Sequence, residues 1–351
     1  MRIDAARLRP QVAAILRAAG SVEEEAGIVA EHLVESNLRG HDSHGVGTVP
    51  AYIRNIRAGR LRPNQHARFV REDGSILVAD GGLGFGQVIA REATARGIEV
   101  ARAHGLALLA LRNVHHVGRV GTYGEQAVAA GFVSVSFVNG LSGAPRVAPF
   151  RGREPRMATN PVCIAVPNGD APVVLDFATS RIAMNKVRVA RNEGRQVIPG
   201  ALITADGAPS TDPEIMYWDQ PRGALLPFGE HKGSGLGLIC ELLGGALAGG
   251  ATAPHADAED PAIINSMVSF IVDPGRLVSL PWFAREVADV VAHVKSAAPA
   301  DPAAPVLVAG EPERLMRAAR LAEGIPIDAT TWGDIAAAAA SVGVAVGEER
   351  V

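Results

Sequence analysis

The chain is poor in aromatic residues, at 4% of 351 positions, and holds two cysteines. Few flat rings leave little surface for stacking bases, and the net charge of −3 comes with no extended basic run. Nucleic acid is therefore not expected as a partner. Cys163 and Cys240 each sit in an apolar stretch without a Cys-x-x-Cys neighbour. That excludes a disulfide framework and fits buried thiols in a reducing compartment. No uninterrupted apolar run reaches the ~20 residues that a membrane span needs, and Met1-Arg2-Ile3-Asp4 does not open a signal peptide. A cytoplasmic globular protein without a membrane partner is expected. No internal repeat is evident either.

Hydrophobic residues make up 48% of the chain and charged residues 20%, enough apolar mass for a sizeable core. Residues 4–38 predict two helices, with Val12, Ile15 and Leu16 on one stripe and Ile28, Val29, His32, Leu33 and Ser36 on the next. Ser21 and Glu24 have the spacing of a capping box for the second helix. A third helix is expected over 49–58, after a polar, Gly-rich interruption at 39–47. From about residue 75 the texture changes. Short β-like runs at 76–78, 107–111, 133–138, 163–166 and 173–177 are mixed with helical stretches at 88–104 and 122–130, the alternation of an α/β domain. A Gly-rich helix is expected over 232–247 and a strand over 267–272. Helical patterns return at 283–294 and 311–323, the Ala- and Pro-rich segment 297–305 reads as a surface linker, and the alanine run 336–340 reads as plain helix. The division expected is a mainly helical domain from 1–74 and 282–351, carrying the segment 40–47, around an α/β cofactor-binding domain at 75–281.

Gly82-Leu83-Gly84-Phe85-Gly86 and Gly233-Ser234-Gly235-Leu236-Gly237 both miss the final spacing of Gly-x-Gly-x-x-Gly, and neither ends in a Walker-type lysine. A conventional dinucleotide-binding motif is absent. Chemistry concentrates instead in Gly40-His41-Asp42-Ser43-His44-Gly45. Histidine is the commonest general acid or base near neutrality, and flanking glycines allow a tight backbone path. Such a loop can also simply cap a helix. The Gly-x-Ser-x-Gly elbow of serine hydrolases is missing around Ser43, because His41 occupies the first glycine position. Neither His41 with His44 nor His115 with His116 has the partners of a zinc site.

Three further segments follow or end expected strands, where α/β proteins place ligand loops: 113–119, 159–161 and 176–180. Asp176 has two readings, a bond to a ribose hydroxyl or nicotinamide amide, or a cap for a helix beginning at Ser180. His231-Lys232-Gly233 puts a cation beside backbone N–H groups at a helix start, either a phosphate seat or a plain surface lysine.

The ordered set Gly40-His41-Asp42-Ser43-His44-Gly45-Val46, Asn113 with His115-His116, Thr159-Asn160-Pro161, Asp176 to Ser180, Thr211-Asp212-Pro213 and His231-Lys232-Gly233 resembles the type-2 malate/L-lactate dehydrogenase family. The resemblance spans about residues 4–335. Its details, including Val147-Ala148-Pro149-Phe150 and Gly324-Ile325-Pro326, are similar to the hydroxycarboxylate dehydrogenase B subgroup. It implies a non-Rossmann α/β fold with a central mixed sheet and a helical domain from both termini, a homodimer, and hydride exchange between NAD or NADP and 2-oxo or 2-hydroxy acids. His44 would carry the proton with Ser43 beside it. Cofactor contacts would fall on His116, Gly118, Arg119, Val120, Thr159, Asp176, Phe177, Ala178, Thr179, Ser180, His231, Lys232, Gly310, Glu311 and Pro312. Asn160 would lie on the substrate side. Two departures stand out. Thr48 replaces an arginine that grips the substrate carboxylate in many members, leaving Arg54, Arg119 or Lys186 as candidate cations. Lys186 itself stands where some imine-reducing members carry an aspartate, which favours oxo acids over cyclic imino acids. A homologue that binds cofactor without turnover is the remaining alternative.

Overall fold

The computed structural model describes residues 1–141, 143–217, 222–256 and 262–347. Strand β1 (Arg2–Ile3) leads into helix α1 (Ala5–Ala18), where the Asp4 carboxylate accepts the Ala6 N–H at 2.6 Å. Leu8, Val12, Ile15 and Leu16 turn inward onto α2 (Glu23–Leu38). Val22 holds the cap position of α2, so the expected capping box is corrected: the Ser21 hydroxyl donates to Glu25, not to Glu24. Helix α3 (Val49–Arg57) follows, and β12 (Ile325–Pro326) pairs with β1 before α10 (Ala329–Ser341) closes this layer. Leu33, Val34, Tyr52, Ile53, Trp332 and Ile335 share its core, so both termini build one helical unit.

The central layer is a seven-stranded mixed sheet with strand order β2-β3-β4-β11-β5-β6-β7. Its strands are β2 (Arg68–Asp73), β3 (Ile76–Asp80), β4 (Leu106–His115), β5 (Val133–Leu141), β6 (Val162–Val166), β7 (Val173–Phe177) and β11 (Ile264–Val272). Period-two alternation sets β4: Ala107, Leu109 and Leu111 are wholly buried against α4 (Gly86–His104). Only β3 and β4 are parallel, joined through α4; β11 runs antiparallel between β4 and β5. Strand β2 pairs with β3, so the expected boundary at 74/75 cuts through a hairpin. Helix α5 (Gly121–Ala129) packs beside α4, while α7 (His231–Cys240) and the π-helical turn 241–247 pack against β5. Gly244 allows that approach, because a Cβ there would lie 2.7 Å from the Phe137 carbonyl oxygen.

A third core was not foreseen from sequence. Val147, Met157, Val187, Leu202, Ile215 and Leu225 gather where α6 (Met184–Asn192) meets the small sheet of β8 (Leu202–Ile203), β9 (Pro209–Ser210) and β10 (Ala224–Leu225). Two remaining helices, α8 (Leu280–Lys295) and α9 (Glu311–Glu323), bury no residue within this chain. Among the described residues no helix is long and apolar enough to cross a membrane.

Candidate active site

The segment after α2 is held by its neighbours rather than by regular structure. Asn37 bonds both the Val46 N–H and the Asp42 carboxylate, and Gly45 leaves no room for a Cβ, which would fall 2.2 Å from Asn37 Oδ1. Asp42 also receives both ends of the Arg320 guanidinium from α9, at 2.6 and 2.9 Å. The resulting short turns at Asp42–His44 and Val46–Thr48 fix the path of the His44 backbone.

Behind His44 lies a run of polar side chains inside the core. His44 Nδ1 is 3.0 Å from His116 Nε2, and His116 Nδ1 is 2.7 Å from the Tyr52 hydroxyl. Gln87 Nε2 donates to the same hydroxyl at 2.7 Å. Tyr52 comes from α3, Gln87 from the first turn of α4, and His116 directly follows β4. Gly86 lets α4 begin against β4, since a Cβ there would meet the His115 carbonyl oxygen at 2.2 Å. Next door, His115 Nε2 is 2.9 Å from Asn55 Nδ2, and His32 Nε2 accepts the Arg119 N–H.

Burial disfavours the charged imidazole, so every ring of this group is held neutral well below the usual range. His44 is pushed down to about 3 by burial, reinforced by the nearby His41 ring and the Arg119 guanidinium. His32 falls to about 3 and His115 to about 4, both chiefly through burial. His116 is also lowered, by burial first and by the other histidines second. The same burial raises the Tyr52 hydroxyl to about 12.

A cleft of about 250 Å³ opens beside this loop, walled by Ser43, Asn185, Lys186, Ile182, Val189 and Val197. Asn185 Nδ2 donates to the Ser43 carbonyl at 2.5 Å, tying α6 to the His44 turn. Lys186 has no ion-pair partner among the described residues, so its charge is open to a ligand. The other candidate cations are placed elsewhere. Arg119 is 2% exposed and clamped by both oxygens of Glu125, which removes it from substrate binding. Arg54 is exposed on α3 and absent from the cleft wall. Asn160 is fully buried, its amide bonded to Gly140, Gly237 and Glu241, so it braces the π-helical turn instead of facing a substrate. Thr48 is buried, with its hydroxyl on the Gly45 carbonyl.

The segments expected around the cofactor converge. Thr179 N–H donates to the Thr159 carbonyl, the Phe228 N–H donates to Thr179, and Phe177 meets Phe228 edge to face. Next to them His231 and Lys232 begin α7, both exposed. The backbone N–H groups of Lys232, Gly233 and Ser234 are already bonded to the carbonyls of Gly229, Phe228 and Glu230, which closes those three to a phosphate, while the Lys232 ammonium has no ion-pair partner among the described residues. Of the two readings of Asp176, the helix cap is corrected. Its carboxylate accepts the Gly121 N–H at the start of α5 and faces Arg119, and no helix starts at Ser180, because α6 begins at Met184. Gly118 passes so close to His32 that a Cβ would be 2.2 Å from Nε2, and Val120 is buried at the cap of α5. Across the sheet edge, Gly310 is packed against the backbone of Pro172 and Val174, while Glu311 binds Lys295 and opens α9 with Pro312. Ala178 and Thr159 remain half-buried along the rim. An unpaired Lys232 beside half-buried hydroxyl and amide groups fits an anionic dinucleotide. No cluster of metal-ligating residues exists among the described residues.

Residues that sequence reasoning did not place in the site are Gln87, Asn55 and Asn185, and Tyr52 had no role beyond its family motif. One signal was available: Tyr52 and Asn55 stand three apart on the buried face of α3, where polar side chains need partners.

The malate/L-lactate dehydrogenase family model matches residues 3–336. Hydroxycarboxylate dehydrogenase B of Escherichia coli (strain K12) is 46% identical over 346 residues, 98% of this chain and 95% of that one. An L-lactate dehydrogenase of Cupriavidus necator is 40% identical, covering 99% of both. A solved E. coli structure, described provisionally as a malate/lactate dehydrogenase, superposes with a TM-score of 0.93 at 45% identity, over 99% of this chain and 96% of that one.

Proposed function

We propose that this chain, which belongs to the malate/L-lactate dehydrogenase family, interconverts 2-oxo and 2-hydroxy acids with NAD or NADP, using His44 as the acid–base group. One observation carries the reading. His44 Nδ1 is engaged from behind by His116, while among the described residues nothing bonds its Nε2 and the cleft beginning at the adjacent Ser43 holds Lys186 without an ion-pair partner. A neutral ring fixed at one nitrogen and open at the other is what proton exchange with a carbonyl oxygen requires.

A bound nicotinamide cofactor supplies or accepts the hydride at C2 of the acid. Lys186 draws the substrate carboxylate into the cleft and replaces the arginine absent at Thr48. Asn185 holds the Ser43 backbone, and through it the His44 turn, at the cleft wall. Ile182, Val189, Val197 and Ile198 give that wall an apolar character, which favours acids with larger apolar side chains. Lys232, Thr159 and the 177–180 segment would hold the cofactor. The reading places the enzyme in the cytoplasm as a homodimer. Helix α8 supports the dimer: Leu280, Trp282, Val290 and Val294 are all exposed on a helix that buries nothing in its own chain.

The test is the oxidation of NADH and NADPH against pyruvate, oxaloacetate, 2-oxoglutarate, phenylpyruvate and one cyclic imino acid. Consumption with phenylpyruvate is expected. Consumption with the imino acid alone would replace the substrate class, and a His44→Ala variant with normal turnover would remove His44 from its role.

A further inference from the structure

We propose that Gln87, Tyr52 and His116 form a one-way hydrogen-bond chain that sets His44 as the Nε2–H tautomer and refills it with a proton as it delivers its own. The inference rests on the reading of His44 as the acid–base group.

The direction follows from the donors. Gln87 offers an amide nitrogen, which cannot accept, so the Tyr52 oxygen accepts there at 2.7 Å. The Tyr52 O–H then points to His116 Nδ1, 2.7 Å away, rather than to the neighbouring Thr48 hydroxyl, whose own proton lies on the Gly45 carbonyl, and that nitrogen carries no proton. His116 in its neutral form therefore carries Nε2–H and donates it to His44 Nδ1 at 3.0 Å. His44, with Nδ1 accepting, presents Nε2–H away from the chain. Reversing the Gln87 amide would reverse every link, and burial decides between the two. In the present sense one oxygen, Gln87 Oε1, has no partner. The opposite sense would strand two N–H donors in the same place, a rarer and costlier defect.

The chain also solves a chemical difficulty. A neutral imidazole that gives up Nε2–H unaided becomes an imidazolate, which is too basic to be useful. Here His44 passes its Nε2 proton to the substrate oxygen while taking the His116 Nε2 proton on Nδ1. His116 in turn takes the Tyr52 phenolic proton on its own Nδ1. Both rings end neutral in the opposite tautomer, and Tyr52 ends as a phenolate facing Gln87 N–H and His116 Nδ1–H. The new alkoxide is a stronger base than that phenolate, even with burial pushing the Tyr52 hydroxyl up to about 12. After product leaves, water returns a proton to His44 Nε2 and the transfers run backward. Tyr52 and Gln87 touch no substrate and act as positioning residues.

The first test needs no cofactor. Nitrogen-15 NMR of histidine-labelled protein should give His44 and His116 as Nε2–H tautomers, and Tyr52→Phe should move both toward Nδ1–H or a mixture. Phe keeps the edge contact with Phe85, at 5.5 Å between centroids, so the fold should survive. In single-turnover reduction, Tyr52→Phe should slow the proton-coupled step on the order of a hundredfold, with unchanged cofactor affinity. Gln87→Leu should cost roughly three- to tenfold, the worth of one neutral hydrogen bond. Rates in mixed H2O and D2O should curve with deuterium content in the wild type, reporting several protons in flight, and become linear in Tyr52→Phe. Nδ1–H tautomers in the wild type, a linear wild-type response, or a Tyr52→Phe enzyme within about twofold of normal would each overturn the chain. If His44→Ala is inactive while Tyr52→Phe is normal, only the chain falls; if His44→Ala is active, the acid–base reading falls with it.

Discussion

The two sides of the candidate site are built differently. On the proposed acid–base side, His44 is backed by side chains from α3, α4 and the residue after β4, each buried and each bonded to the next. On the proposed substrate side, one nine-residue helix, α6, supplies Asn185 and Lys186 to the cleft wall. Over-determination on one side and economy on the other suggest where change is tolerated. A substitution in α6 alters what is gripped, whereas one among the histidines disturbs the core that positions the chemistry.

The contrast breaks first under acid. His32, His44, His115 and His116 are held neutral in the fold, burial lowering His32 and His44 from 6.5 to about 3, His115 to about 4, and His116 likewise well below 6.5. The unfolded chain binds protons on these rings below about 6.5 while the native state does not, so stability is full above that pH and falls as pH drops toward 3. One pH unit costs about 1.4 kcal/mol for each ring, on the order of 5 kcal/mol for the group. Denaturant unfolding at about pH 7 and about pH 5.5 would check this, and equal midpoints would contradict the neutral cluster.

His44→Ala should lower oxo-acid turnover by about 10²–10⁴-fold with cofactor affinity retained, as read by steady-state rates and fluorescence titration. Lys186→Met sharpens the other side: kcat/KM for the oxo acid should fall roughly 10- to 100-fold, the worth of one charged hydrogen bond, mainly through KM. An unchanged KM would mean that another group binds the carboxylate. The smallest effect is expected at the hinge between the sides. Arg320→Met leaves Asp42 without its bidentate partner and should lower stability by about 1–3 kcal/mol, with faster amide exchange confined to 41–47 as the signature.

Much of the fold was legible because its signals are local. Buried stripes of α1 and α2, the alternation of β4 and the loop richness of 40–45 all stand in short windows of sequence. Residues that act through distant partners were not legible in that way. Arg119 reads as a ligand-ready cation until Glu125 is seen to clamp it, and Asp176 reads as a cap for a helix at Ser180 until that helix is seen to start at Met184. Asn160 looked like a substrate contact because its role depends on Glu241, 81 positions away. Strand β2 was missed because five of its six residues are charged or exposed, which hides the period-two pattern. The third core was missed for the opposite reason: its members are scattered over several short elements.

The order in which the strands are made has its own consequence. Strand β11 fills the middle of the sheet, yet it leaves the ribosome after β2 to β7. Until residue 272 emerges, β4 and β5 each expose an unpaired inner edge, and the nascent sheet exists as two incomplete ribbons. Closing it requires contact between segments more than a hundred residues apart, a long-range step that slows folding and leaves adhesive edges open meanwhile. Synthesis therefore passes through a window in which this protein depends on prompt completion of its own chain, or on chaperones, to avoid edge-to-edge association.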